Sequence, residues 1–197
     1  MNEKQKSKNI VAVVGVPGSG KSLILSAVER LGDSIEVQNY GKAMLAAAGR
    51  AEIDRDRMRY LSTDEQVALG ISAAELVLER AIDSTSSTII VDTHALVKSP
   101  LGYVPGLPLS ILQVLKPKVI CVVEAAPEFV CRCRESDQQR FREQVSIREI
   151  ERHQELTRQF AVSCTMISGS VLHFIENDGQ APEEMAKPLV QLIQQLK

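Results

Sequence analysis

Gly15-Val16-Pro17-Gly18-Ser19-Gly20-Lys21-Ser22 follows directly on the apolar run Ile10-Val11-Ala12-Val13-Val14. The spacing is G-x-x-x-x-G-K-[ST], a phosphate-binding loop placed where such a loop works, after a buried strand and before a helix. Each residue type has a physical reason. The glycines let the backbone turn sharply and aim successive N–H groups at phosphate oxygens. A helix expected over Lys21 to Leu31 points its positive end at the same anion. Lys21 can reach the terminal phosphates, and the Ser22 hydroxyl can ligate Mg²⁺, which retains waters and substrate oxygens around it. The bland alternative is a glycine turn between strand and helix. The complete motif implies a nucleoside triphosphate ligand.

A second group of residues can act on the same ligand. Asp92 closes the run Ile89-Ile90-Val91 and, set beside the loop, can hold Mg²⁺ directly or through water; otherwise it is a strand-end acid capping a loop. His94 can touch a phosphate or simply hold its own loop. Arg55, Arg57 and Arg59 fall within five residues; 55 and 59 share a helical face, and guanidinium forks grip phosphate in bidentate fashion. A solvated charged turn accounts for them equally. Arg140-Phe141-Arg142, with Arg132 and Arg134 nearby, can close over a triphosphate, although charge-rich connections between helices are common. Phosphoryl transfer needs alignment, positive charge and exclusion of water more than covalent chemistry, and an arginine-bearing lid supplies these. Gly102-Tyr103-Val104-Pro105-Gly106-Leu107-Pro108 is a loop, either shaped around a small ligand or plain surface.

The elements that must position these residues alternate. Strands are expected at Ile10–Val14, Ile35–Asn39, Thr88–Asp92, Lys118–Glu124 and Val171–Glu176, mostly as continuous apolar runs of the kind found in a parallel sheet covered on both faces. Val67, Ile71, Ala74, Leu78 and Ile82 define one long amphipathic helix, with Thr63 and Gln66 as its capping box. Ile147, Ile150, Phe160 and Ile167 define a second, in which His153 is expected to be packed. Met185, Leu189, Ile193 and Leu196 define the last, which Pro188 should kink or start late. The order β-α-β-α-α-β-α-β-α-β-α implies a doubly wound α/β domain whose ligand lies beyond the C-terminal strand ends. Gly15, Asn39, Asp92 and Glu124 would then border one crevice.

The bulk properties bound the alternatives. A chain of 197 residues suits a single domain, 1–197, with a sizeable core. The formal net charge of −2 argues against a general nucleic-acid or membrane-surface binder. No apolar segment approaches the roughly 20 residues that span a bilayer. The polar start, Met1 to Lys8, has no signal-peptide core, so a cytoplasmic location is expected. Cys131-Arg132-Cys133 lacks the usual zinc spacing, and Cys121 sits in an apolar run as a small hydrophobe.

Taken together, these residues resemble the archaeal-type adenylate kinases over nearly the whole chain. The resemblance rests on the phosphate loop, on Asn39-Tyr40-Gly41 with Met44-Leu45, and on Asp54-Arg55-Asp56-Arg57-Met58-Arg59-Tyr60-Leu61. It continues through Val91-Asp92-Thr93-His94, the 102–108 string and Val123-Glu124. It implies a P-loop NTPase fold with a five-stranded parallel sheet, helices on both faces and a short lid at about 135–146. It also implies an AMP-binding region at about 39–84 and a homotrimer, since members are often trimeric. The lid in relatives tends to read Arg-Asn-Arg, whereas Phe141 stands between the arginines here. Nothing resembles the larger zinc-bearing lid of some bacterial members.

On this resemblance ATP, AMP and ADP are the substrates and Mg²⁺ the cofactor. Gly15, Val16, Pro17, Gly18, Ser19, Gly20, Lys21 and Ser22 bind ATP, while Ser22 and Asp92 organise the metal. Tyr40, Gly41, Arg55, Arg57, Arg59 and His94 face AMP. Lys21, Arg57, Arg140 and Arg142 carry catalysis by stabilising charge on the transferring group. Two rivals share the motif: a kinase for another small acceptor, and an ATPase switch or assembly factor. A GTPase is disfavoured because no Asn-Lys-x-Asp motif is present.

Overall fold

The structure is a computed structural model that describes residues 8–49, 60–100, 102–136 and 146–196. Its spine is β1 (Asn9–Val14), whose six residues are all buried. Parallel neighbours flank it: β3 (Thr88–Asp92) on one side and β6 (Val119–Ala125) on the other. β2 (Ile35–Asn39) joins β3, and β7 (Val171–Asn177) joins β6, giving the order β2-β3-β1-β6-β7. These are the five strands expected from the sequence, β2 from a short alternating stretch and the others from apolar runs. β-branched residues dominate the three central strands because such side chains pack well on a pleated surface buried on both faces.

The two-residue period of the strands divides the interior into two layers. Ile10, Ala12, Val14, Ile89, Val91, Ile120 and Val122 point to one face. There they meet α2 (Tyr40–Ala47), α3 (Thr63–Asp83), α4 (Leu109–Leu115) and part of α6 (Ile147–Ser168). Val11, Val13, Ile90, Val119, Cys121 and Val123 point to the other, against α1 (Lys21–Leu31) and α7 (Pro182–Gln195). Each fully buried Val or Ile stabilises the fold by about 1.5–3 kcal/mol, so the central strands hold the layers together. Between β6 and β7 the chain makes two helices, α5 (Pro127–Ser136) and α6, on either side of the 137–145 segment.

Several expectations need correction. The capping box of α3 is Ser62–Glu65: the Ser62 hydroxyl accepts from Glu65 N at 3.3 Å, and the Glu65 carboxylate accepts from Ser62 N at 2.9 Å. An anionic side chain at the positive helix end outweighs the neutral Gln66 one register later. The buried faces match those expected in part: Ile71, Ala74 and Leu78 of α3 and Ile150 and Phe160 of α6 do face the interior, but the ends of both stripes do not. In α3 the small residues Gly70, Ala73, Ala74, Val77 and Ala81 lie against the core, leaving Ile82 exposed. In α6 the buried set is Ile150, His153, Gln154, Thr157, Ala161 and Cys164, while Ile147 and Ile167 are exposed. Small residues admit a close helix–sheet approach, which a ranking by hydrophobicity overlooks.

Helix α7 neither waits for Pro188 nor starts there. Pro182 opens it, its fixed φ suiting the first turn, and the helix continues through Pro188. Pro188 lies on the exposed face, so the carbonyl that loses an N–H partner is on the side facing water, while Met185, Leu189 and Ile193 stay anchored. Finally, the 102–108 string is not all loop. Leu96–Ser99 (β4) and Gly102–Pro105 (β5) form an antiparallel two-stranded sheet, with Leu96 opposite Pro105 and Ser99 opposite Gly102.

Candidate active site

All five parallel strands present their C-terminal ends on one edge, where the phosphate loop leaves Val14. The loop is clamped from several elements. The His94 ring, two residues past β3, lies with Nδ1 2.7 Å from the Gly15 carbonyl, and Nδ1–H donates to it. A Cβ at Gly15 would stand 2.6 Å from the Val123 carbonyl of β6, so a side chain there has no room. Arg134 of α5 donates its Nε–H to the Pro17 carbonyl at 2.8 Å. Asn177, the last residue of β7, donates from Nδ2 to the Ser19 carbonyl at 2.9 Å. Gly20 has φ +81 and lies against the Asn177 amide, which excludes any Cβ.

Gly20 is the N-cap of α1 and supplies no side-chain hydrogen bond to the first turn. The positive end of the helix is therefore left without a side-chain cap, and the first turn carries no acid to oppose an anion. The Ser19 hydroxyl is buried in the loop without a hydrogen-bond partner among the described residues. Such a group is costly unless a ligand completes its bonding.

Beside the loop lies a charged chain of contacts. The Lys21 ammonium pairs with Asp92 Oδ1, and both residues are less than 10% exposed. Asn39 Nδ2 donates to Asp92 Oδ2 at 2.7 Å, and Asn39 Oδ1 accepts from Lys42 N at 3.0 Å, capping α2. Within the protein alone, Asp92 thus holds a cationic group and an amide. Removing one partner of a buried ion pair typically costs about 3–5 kcal/mol, because the other charge is left uncompensated.

Other expected residues fall in distinct places. Gly41 is in the first turn of α2. Tyr40 points into the core, where its hydroxyl donates to the Gly70 carbonyl of α3 and burial pushes it above its ordinary range. Ser22 is exposed one residue into α1. His94 sits against the phosphate loop, with Nδ1 on the Gly15 carbonyl. Arg55, Arg57, Arg59, Arg140 and Arg142 lie outside the described residues. Glu124 makes a bidentate pair with Arg158, at 2.9 and 3.0 Å, on the wall of a cavity of about 590 Å³ that Gln154 and Asn177 also line.

His153 is buried as expected. Its ring packs on Tyr103 with centroids 5.0 Å apart, and Nε2 lies 3.4 Å from the Leu96 carbonyl, tying the β4–β5 hairpin to α6. Burial is the main cause holding it below the usual histidine range; the Leu96 contact opposes that, and Arg134 and Lys98 add to it.

Sequence reasoning gave no role to Asn177 and only a loose one to Arg134 and Asn39. Asn177 had one available signal: it is a polar residue with both donor and acceptor atoms, placed where a strand ends on the ligand edge.

A family model described as AAA domain matches residues 14–151. The chain is similar to an adenylate kinase from Thermoplasma acidophilum, 34% identical over 183 residues covering 92% of this chain and 96% of that one. It is likewise similar to one from Pyrococcus furiosus, 35% identical, covering 93% of this chain and 94% of that one. Among solved structures, TT1252 from Thermus thermophilus superimposes with a TM-score of 0.60 at 15% identity, covering 98% of this chain and all of that one. A shikimate kinase from Bacteroides thetaiotaomicron does so with a TM-score of 0.58 at 11% identity, covering 95% of this chain and 99% of that one. These likenesses of shape establish the fold, a five-stranded parallel sheet with helices on both faces.

Proposed function

The chain belongs to the adenylate kinase family, and from that premise we propose how its own residues carry the family's reaction. That reaction is reversible transfer of the γ-phosphoryl group of ATP to AMP, giving two ADP. The observation that carries the reading is the clamped phosphate loop with its uncapped helix and the Lys21–Asp92 pair on a single strand edge.

The loop amides of 15–22 and the start of α1 bind the ATP phosphates. Lys21 is held by Asp92 until phosphate oxygens compete for its ammonium, so it is placed before the ligand arrives. An AMP phosphate is already an anionic nucleophile and needs no general base; the site has only to align and neutralise. Arg57 with Arg55 or Arg59 grips that phosphate, and Arg140 and Arg142 in the 135–146 lid spread the developing charge. Tyr40, buried itself, anchors the acceptor segment of 39–84, with Gly41 and His94 at its edge. All of this takes place within one unit, 1–197.

Mg²⁺ fits the residues present. Asp92 and Ser22 offer hard oxygen donors, which this ion takes alongside phosphate and water, and the carboxylate already holds an ammonium in the protein alone. When bound, the ion neutralises charge on the triphosphate oxygens. We also propose a homotrimer and a cytoplasmic location, without nucleic-acid or membrane partners. No described helix is long and apolar enough to cross a membrane.

The test is to incubate pure protein with Mg²⁺-ATP and each nucleoside monophosphate and follow ADP by chromatography. Two ADP formed per AMP consumed, with little hydrolysis when AMP is absent, is the expected result. Transfer to another monophosphate would move the acceptor, and hydrolysis alone would point to an ATPase switch.

A further inference from the structure

Asn39 stands where two parts of the molecule meet. It is the last residue of β2, opposite Asp92 in the register of β2 and β3, and it is also the N-cap of α2. Its amide does two things at once: Oδ1 accepts from Lys42 N at 3.0 Å, and Nδ2 donates to Asp92 Oδ2 at 2.7 Å. Capping alone does not require asparagine, since Ser, Thr or Asp would serve as well. The amide meets both demands with separate atoms, a donor to the carboxylate and an oxygen to the helix N–H, and it has the length to reach both.

Asp92 in turn holds Lys21, the lysine of the phosphate loop. An unbroken chain of polar contacts therefore runs from the loop through Lys21, Asp92 and Asn39 to the first turn of α2. The next residue, Tyr40, is bonded to the Gly70 carbonyl, so the start of α2 and the middle of α3 are also joined. The Asn39–Asp92 bond fastens that pair of helices to the strand edge that carries the loop.

We propose that Asn39 is a positioning residue for phosphoryl transfer, fixing the acceptor-side helix α2 relative to the donor phosphates through Asp92. This rests on reading 39–84 as the acceptor side. Small misplacements of one reactant against the other are expensive: about 1 Å can cost on the order of 100-fold in rate. Loss of the tie therefore falls on kcat, while the contacts that hold AMP persist and its KM changes little.

The experiment compares Asn39→Ser and Asn39→Asp with the unmodified protein. Both keep a capping oxygen; the Asp carboxylate has no proton to donate, and the Ser hydroxyl, one heavy atom shorter than the amide, falls short of Asp92 when it is turned to the cap. Expected are a melting temperature and a Lys42 amide exchange rate close to those of the unmodified protein, with kcat lower by about tenfold or more and KM for AMP within about twofold. A second readout needs no turnover. In metal-free protein, ATP draws Lys21 away from Asp92, so the Lys42 amide resonance moves in the unmodified chain and stays still in both variants. Unchanged kcat in both variants overturns the proposal. So does a rate loss matched by lost stability and lost Lys42 protection, which would make Asn39 a helix cap and nothing more. If the unmodified protein makes no ADP from AMP, the proposed function fails, and the Lys42 resonance still decides whether the tie exists.

Discussion

The Lys21–Asp92 pair gives two residues tasks in both stability and chemistry. Lys21→Ala removes a phosphate-binding cation, and loss of one such group costs about 10²–10³-fold in kcat. It also strands a buried carboxylate, so the variant should be less stable by about 3–5 kcal/mol. The double variant Lys21→Ala/Asp92→Asn separates the effects: with no unpaired charge left, most of the stability returns and the activity does not. Urea melts and ADP formation on the same preparations check this, and full activity in the single variant would remove Lys21 from the mechanism. His94 shows how far single residues can be read in advance. Its type and position offered two roles, and neither showed the contact of Nδ1 with the Gly15 carbonyl, which lies 79 residues away in the chain. Asn177 carried the signal of a polar residue at a strand end, but its partner, Ser19, lies 158 residues away in the chain and no local pattern names it.

At the level of elements, apolar runs identified the central strands, since burial on both faces leaves a clear pattern, while the edge strand β2 was read from a short alternating stretch. The hairpin of β4 and β5 escaped notice: four-residue strands rich in Pro, Lys, Ser and Gly carry no such pattern and are held by Tyr103 and His153 instead. Helix stripes were right at Ile71, Ala74, Leu78, Ile150 and Phe160 but missed the small residues that do the closest packing. Helix α3 offers a direct check of register. Ser62→Ala should cost about 1 kcal/mol as a lost cap, whereas Thr63→Ala, one residue on, should change stability by no more than about 0.5 kcal/mol. The His153 tether makes a pH prediction. Burial depresses its folded-state pKa below the ordinary 6.5, so the neutral form is favoured in the fold. The unfolded chain then binds more protons, and stability falls as pH drops below about 6.5, by at most about 1.4 kcal/mol per pH unit for one proton. His153→Gln should flatten that part of a melting-temperature profile measured between pH 7 and 5. An unchanged slope would place the acid sensitivity elsewhere, His173 being the other histidine held low by burial.

Across the whole molecule, the two-residue period of the strands makes two interiors that share a backbone and little else. Ile89 belongs to one and Ile90 to the other. Ile89→Val and Ile90→Val should each cost about 0.5–1.5 kcal/mol, and the double variant should cost their sum to within about 0.5 kcal/mol. A strongly non-additive result in denaturant melts would mean that the layers communicate through the sheet. The clamp on the phosphate loop crosses this architecture from end to end, because one of its jaws, Asn177, closes the outermost strand β7. During synthesis, residues 15–22 leave the ribosome long before residue 177 does. A nascent chain therefore carries its nucleotide-grasping turn unfinished until nearly all of the sheet has emerged, and a partly made protein has little means of sequestering ATP.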